Sequence, residues 1–318
     1  MLTIHRKVQL VLPGRPLAGV LMPSGDLAVA CAREGEVLIG RFSVGTRGDG
    51  PRRSDKLLRL PSATPEAGRV ALFMPPTGRD HPILVSGSVV LGIDARAMEP
   101  RWRLNLDGDG GGVAVLGPDR LWIADPPRRL TALDFEGHER ESVELDGDVV
   151  GVAVGAARIA VTTARSVWRI ASDLGVEKLA ELGGPHVSVE VGRSGTASVL
   201  TPERLVQIAP GPAVEVTELG AMGGLALTLT PEGDPVVATA SGVWVVRDGE
   251  LVRQAEFVAA HACACLNSGT VVVLTPDNLL TWDGSSMEML AFQDPRILVP
   301  CSHGAWIVGG AGQAVWAV

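Results

Sequence analysis

Gly112-Val113-Ala114-Val115 and Gly151-Val152-Ala153-Val154 are one tetrapeptide met twice, and each copy follows a Leu-Asp-Gly-Asp turn, at 106–109 and at 145–148. Gly224-Leu225-Ala226-Leu227 and Ala262-Cys263-Ala264-Cys265 are weaker echoes. Further equivalents begin near Ala18, Arg69, His186 and Arg296. The interval is about 35–50 residues, which suits one four-stranded blade of a β-propeller per repeat.

Each repeat keeps an internal order. The small-residue first strand leads through a turn to a short apolar second strand, as in Leu27-Ala28-Val29-Ala30, Leu121-Trp122-Ile123-Ala124 and Val271-Val272-Val273-Leu274. A third strand shows in Ser166-Val167-Trp168-Arg169-Ile170 and Gly242-Val243-Trp244-Val245-Val246. The fourth is more polar, as in Arg101-Trp102-Arg103-Leu104-Asn105-Leu106 and Glu141-Ser142-Val143-Glu144-Leu145. Inner strands covered on both faces by neighbouring blades read as apolar runs. An outermost strand keeps an open edge, and polar residues protect it from stray pairing. No long segment of helical period interrupts the pattern, so the chain is predicted to be all-β.

Seven full repeats run from about residue 16 to residue 293, and the C-terminal piece 296–318 holds only three strands. The N-terminal run 2–12 has a strand-like pattern and is predicted to supply the missing outer strand of that last blade. The expectation is a single closed propeller domain over 1–318 with eight four-stranded blades, or seven if one repeat is overcounted.

Hydrophobic residues make up 46% of the chain and aromatics 4%, with no tyrosine, so the core is built from Val, Leu, Ala and Ile. The 39 glycines and 22 prolines favour short strands and tight turns. A net charge of −8 opposes a general nucleic-acid role. Cys31, Cys263, Cys265 and Cys301 are too few and too widely spaced for a secreted disulfide framework. The first residues lack the apolar core of a signal peptide, and no stretch reaches the ~18 apolar residues of a membrane helix. The expected setting is the cytoplasm, without membrane insertion.

Two repeats resemble the units of quinoprotein-like propellers, the tryptophan-docking, PQQ-type superfamily. One is Val90-Leu91-Gly92-Ile93-Asp94-Ala95-Arg96-Ala97-Met98-Glu99-Pro100-Arg101-Trp102-Arg103, with Asp-Ala ending the third strand and a Trp in the fourth. The other is Leu130-Thr131-Ala132-Leu133-Asp134-Phe135-Glu136-Gly137, which lacks the later Trp. The resemblance implies eight blades, with the Trp packing between blades and the Asp tightening its turn. The adjacent cysteines and calcium-binding carboxylates of the family's quinone-dependent alcohol dehydrogenases are not evident here. A non-enzymatic member without a cofactor is therefore expected.

His261, Cys263 and Cys265 alternate along one predicted strand, and Cys301 and His303 alternate in the next blade's first strand. Thiolates and imidazoles sharing a face are the donor set for zinc. The C-x-x-C turn spacing of such sites is missing, and buried cysteines also serve as small core hydrophobes. The turns carrying Asp107, Asp109, Asp146 and Asp148 offer oxygens to calcium, but no Glu closes either loop, and Asp-Gly is common turn chemistry. They are expected to place four carboxylates on one face of the disc. The irregular run 45–56, with Arg47, Asp49, Arg52 and Arg53, reads as an extended loop between the third and fourth strands of the first blade, a frequent kind of binding element. No Gly-x-Ser-x-Gly elbow and no Gly-x-x-x-x-Gly-Lys loop occurs.

The functional expectation is a non-enzymatic scaffold for protein–protein interaction in a bacterial multi-component assembly, with a protein partner such as an ATPase or effector of the same operon. The alternative is a metal- or small-molecule-dependent enzyme or sensor working at the channel mouth.

Overall fold

The computed structural model describes residues 4–44, 52–53, 56–61, 70–107, 113–125, 127–155, 158–211, 213–247, 249–256, 260, 262–266, 268–301 and 304–317. Its regular elements are all strands, apart from one 3-10 turn at Gly220–Met222. They form eight antiparallel sheets in succession, an eight-bladed β-propeller. No helix among the described residues is long and apolar enough to cross a membrane. The chain groups into two compact units, unit A (Ile4–Glu144, Arg296–Cys301 and Ala305–Val318) and unit B, built on Leu145–Pro295.

Unit A holds blades 1, 2, 3 and 8. Blade 2 runs Val70–Phe73, Ile83–Ser86, Val89–Asp94, Glu99–Asn105, and blade 3 runs Ala114–Leu116, Leu121–Ala124, Arg129–Leu133, Glu139–Glu144. Blade 8 takes Pro295–Cys301, Gly304–Gly309 and Gln313–Ala317 from one end of the chain and Ile4–Gln9 from the other. Val8 pairs with Ala314 and Gln9 with Gln313, so the N-terminal strand completes the last blade, over 4–9 among the described residues.

Blade 1 differs from the expectation. Its strands Arg15–Leu21, Leu27–Arg33 and Glu36–Ser43 are followed by two outer segments, Arg52–Arg53 and Leu58–Pro61, making five strands. Arg52 and Arg53, expected in a loop, pair with Ser43 and Phe42. The reason is length. Leu58–Pro61 covers only Glu36–Ile39 of the eight-residue third strand, and the far end takes another partner for its backbone groups.

Alternation within each strand explains the apolar runs. In the second strand of blade 1, Leu27, Val29 and Cys31 pack against Ile297, Val299 and Trp306 of blade 8, while Ala30 packs toward Leu72 and Leu84 of blade 2. In blade 2, Leu84 joins the cluster with blade 1, and Ile83 and Val85 meet Leu121 and Ile123 of blade 3. With both faces buried, alternate positions have no reason to be polar.

The tryptophan of the quoted repeat docks between blades. Trp102 pairs with Gly92 on its own blade and donates its Nε1–H to the Phe135 carbonyl of blade 3 at 3.0 Å. A Cβ at Gly92 would stand 2.2 Å from the ring, and one at Gly137 would stand 2.6 Å from it. Asp94 Oδ1 accepts from Arg96 N and Ala97 N, and Asp134 Oδ1 accepts from Glu136 N and His138 N, so each Asp tightens its turn.

Unit B holds blades 4 to 7. Blade 4 runs Val149–Val154, Ile159–Thr163, Ser166–Ile170, Val176–Glu181, and blade 5 runs Ser188–Val191, Ala197–Leu200, Arg204–Ile208, Val214–Glu218. Blade 6 runs Gly224–Leu229, Pro235–Thr239, Gly242–Arg247, Glu250–Glu256, and blade 7 runs Ala262–Cys265, Val271–Leu274, Asn278–Trp282, Met287–Ala291. The first turns of blades 5 to 7 share one chemistry. Gly195, Gly233 and Gly269 take φ of +82°, +99° and +85°, and each donates its N–H to the carbonyl three residues back.

Candidate functional site

The first two strands of blade 2 are joined by Met74-Pro75-Pro76-Thr77-Gly78-Arg79-Asp80-His81-Pro82, a proline-rich segment that forms no ladder of its own. It is pinned at its C-terminal end. Ser24 N donates to Asp80 Oδ1 at 3.0 Å, Ala95 N donates to the Asp80 carbonyl at 3.1 Å, and Ile93 N donates to the Pro82 carbonyl at 3.0 Å. Two three-residue turns, Thr77 N to Pro75 O and His81 N to Arg79 O, both 2.8 Å, fold the segment back on itself. Asp80 is only 6% exposed, while Pro76 to Arg79 stand in solvent.

This loop walls a cleft of about 270 Å³, together with Arg101 of blade 2 and Phe135 and Glu136 of blade 3. Arg101 Nη2 donates to both Glu136 oxygens, at 3.0 and 2.7 Å. A second recess shares Arg79 and His81 and adds Asp80, Asp94 and Arg96. Asp80 Oδ2 is buried there without a hydrogen bond and faces Arg96 Nε at 3.9 Å. Backbone N–H groups, that of Ala97 first, hold the Asp94 carboxyl below its usual range. Burial, then the Arg101 charge, pushes the His81 imidazole below its ordinary 6.5. Neither Arg79 nor His81 stands in a motif that points to a site. The legible signal is only an Arg-Asp-His triplet inside a Pro-rich turn.

Cys263 and Cys265 lie on the first strand of blade 7, and Cys301 on the first strand of blade 8, while His261 and His303 lie outside the described residues. All four cysteines are free thiols. Burial pushes Cys263 up to about 12, with the Glu190 charge adding to it, and pushes Cys265 and Cys301 each up to about 11. These thiols stay protonated at neutral pH, whereas a metal ligand or nucleophile works as thiolate. Among the described residues no group of three or more His, Cys, Asp or Glu could hold a metal ion.

Of the acidic turn residues, Asp107 is exposed in unit A with its N–H on Asp125 Oδ2 at 3.0 Å, and Asp146 and Asp148 are exposed in unit B. Asp109, Arg47 and Asp49 lie outside the described residues.

The outer strands differ between the units. In unit A those of blades 2 and 3 carry ion-paired charge, including Arg101–Glu136 and Arg120–Glu141. Those of unit B carry ion pairs as well, including Lys178–Glu181 and Arg204–Glu218, and in addition expose apolar side chains: Val176 in blade 4, Val214 and Val216 (52% exposed) in blade 5, Val252 in blade 6, and Met287 and Met289 (68%) in blade 7. Both sets carry the polar residues expected of outer strands, and the second also presents apolar side chains to solvent. The same four strands carry seven glutamates against one lysine and one arginine.

No family model matches the chain, and no curated protein matches it in sequence. Its likeness is to solved structures. BamB from Moraxella catarrhalis superposes with a TM-score of 0.68 at 11% identity, covering 100% of this chain and 99% of that one. Virginiamycin B lyase from Staphylococcus aureus gives 0.62 at 11%, also covering 100% and 99%. The WD40 propeller domain of Doa1 gives 0.61 at 10%, covering 100% and 97%. Such identities speak to the fold alone, and 871 matching chains make it too widespread to select a function.

Proposed function

We propose that the chain is a non-enzymatic protein-interaction scaffold that docks its partner on the outer strands of blades 5 to 7. The observation that carries this reading is the row of exposed Val214, Val216, Val252, Met287 and Met289. Scattered exposed apolar residues are ordinary, but the outermost strands of successive blades are where a sheet protein needs charge to stay unpaired. Apolar side chains set among glutamates suit a partner face that is itself apolar and basic. The four free thiols support a reducing compartment, the cytoplasm. A protein encoded beside this chain, an ATPase or another effector, is the first partner to try.

The test is affinity capture from the native host with the wild-type chain and with a Val216→Glu, Met289→Glu variant. Both positions are exposed, so melting temperature should hold. The expected result is a partner retained by the wild type and lost by the variant. A partner held equally by both sinks the rim reading.

A further inference from the structure

We propose that the cleft between the 74–82 loop of blade 2 and the Phe135–Glu136 turn of blade 3 binds an oxyanion, a phosphate or carboxylate group, on Arg79, Arg101 and the His81 ring. It lies wholly within unit A and does not depend on the rim of unit B. Three basic side chains line it against one acid, Glu136, which is already held by Arg101. That pair orients the guanidinium through Nη2, leaving its other N–H groups to a ligand. The Arg79 side chain makes no ion pair or hydrogen bond with any described residue, yet its backbone is fixed by the Arg79–His81 turn and by Asp80 on Ser24. An unpaired arginine on a pinned loop loses little backbone freedom when it engages a ligand.

Pro75 and Phe135 supply the apolar wall, which strengthens a charge-assisted hydrogen bond by excluding water. Size narrows the ligand. At about 270 Å³ the cleft falls just below the ~300 Å³ where drug-sized sites begin, so it suits one oxyanion on a short stem rather than a whole cofactor. The Asp80 and Asp94 carboxylates face the neighbouring recess instead.

Proton uptake should accompany binding. Burial first, then the Arg101 and Arg79 charges, hold the His81 imidazole toward its neutral form, and Asp94 and Glu136 oppose them. A bound anion offsets the two arginines and favours the imidazolium. Affinity should therefore rise as pH falls below the ordinary histidine value of 6.5.

The experiment is calorimetric titration of the full chain, in separate arms, with inorganic phosphate and with acetate, which shows which group is preferred. Saturable binding of one of them is expected. Arg79→Gln, an exposed change that leaves the fold alone, should weaken it about tenfold or more. Arg193→Gln, at an exposed arginine in a turn of blade 5, should leave it unchanged. No saturable binding of either anion, or equal weakening by the two substitutions, overturns the proposal. A flat affinity for acetate, which stays ionised across the range, between about pH 7.5 and 5.5 overturns the part given to His81.

Discussion

Glu190 sits half-buried on the first strand of blade 5, opposite Ser198 and within electrostatic reach of the Cys263 thiol. Burial alone pushes it from 4.5 up to about 7. The unfolded chain ionises this carboxyl near 4.5 while the folded chain resists until about 7, so stability is greatest below that window and falls as pH rises through it. A shift of this size corresponds to roughly 3 kcal/mol lost across the window. Urea denaturation of Glu190→Gln at a series of pH values should show that fall abolished, with the variant at least as stable as wild type at about pH 8. A fall of the same size in both proteins would place its origin elsewhere. Nothing in the local sequence marks Glu190, because its property comes from blades that fold around it. Trp102 is the opposite case. Its partners Gly92 and Gly137 both stand within the quoted repeats, so its docking was legible before any coordinate.

At the scale of the element, the second hairpin of each blade in unit B turns on a threonine. The hydroxyls of Thr163, Thr201 and Thr275 accept the N–H three residues on, from Ser166, Arg204 and Asn278, and donate to the carbonyl of that same residue. Thr239 donates likewise to Gly242 O. These threonines recur at about one blade's length, a repeat as regular as the glycine-led first strands. Thr201 is 1% exposed, so losing its hydroxyl leaves the Arg204 N–H without its partner in a half-buried turn. Thr201→Val keeps the shape and should cost about 1–3 kcal/mol in urea unfolding, whereas Thr201→Ser, which keeps the hydroxyl, should cost less. A negligible loss in Thr201→Val beside a real one in Thr201→Ser would mean that the methyl contacts matter and the hydrogen bonds do not. Inner strands were readable because both faces are buried and the apolar run is unbroken. The outer strand of blade 1 was not, since its two short pieces, Arg52–Arg53 and Leu58–Pro61, are separated in sequence and neither carries a strand-length pattern.

For the whole chain, the decisive feature is that unit A is assembled from both ends of the sequence. Ile4–Gln9 completes blade 8, and just beyond it Leu10 N donates to Gly312 O at 2.7 Å. The Leu10 side chain is 2% exposed, in the cluster with Leu27, Phe42 and Trp306. Gly312, at φ +82°, allows the approach, since a Cβ there would stand 2.2 Å from the Leu10 carbonyl oxygen. The strand thus has two separable roles, filling the core and covering the edge of Gln313–Ala317. Leu10→Ala addresses the first and should cost about 2–5 kcal/mol while the protein stays monomeric. Deleting residues 1–12 removes both roles. It should lower stability further and leave a bare ladder edge, which seeks another chain. Hydrogen exchange should then show lost protection in Gly304–Gly309 and Gln313–Ala317, while Ala197–Leu200 and Arg204–Ile208 of blade 5 keep theirs. The Trp306–Trp316 pair, with ring centroids 5.4 Å apart, gives a fluorescence report of the same loss. Light scattering should show concentration-dependent association of the truncated chain alone. If the truncated protein melts like wild type and remains monomeric, pairing of the two termini is an incidental contact rather than the closure on which unit A depends.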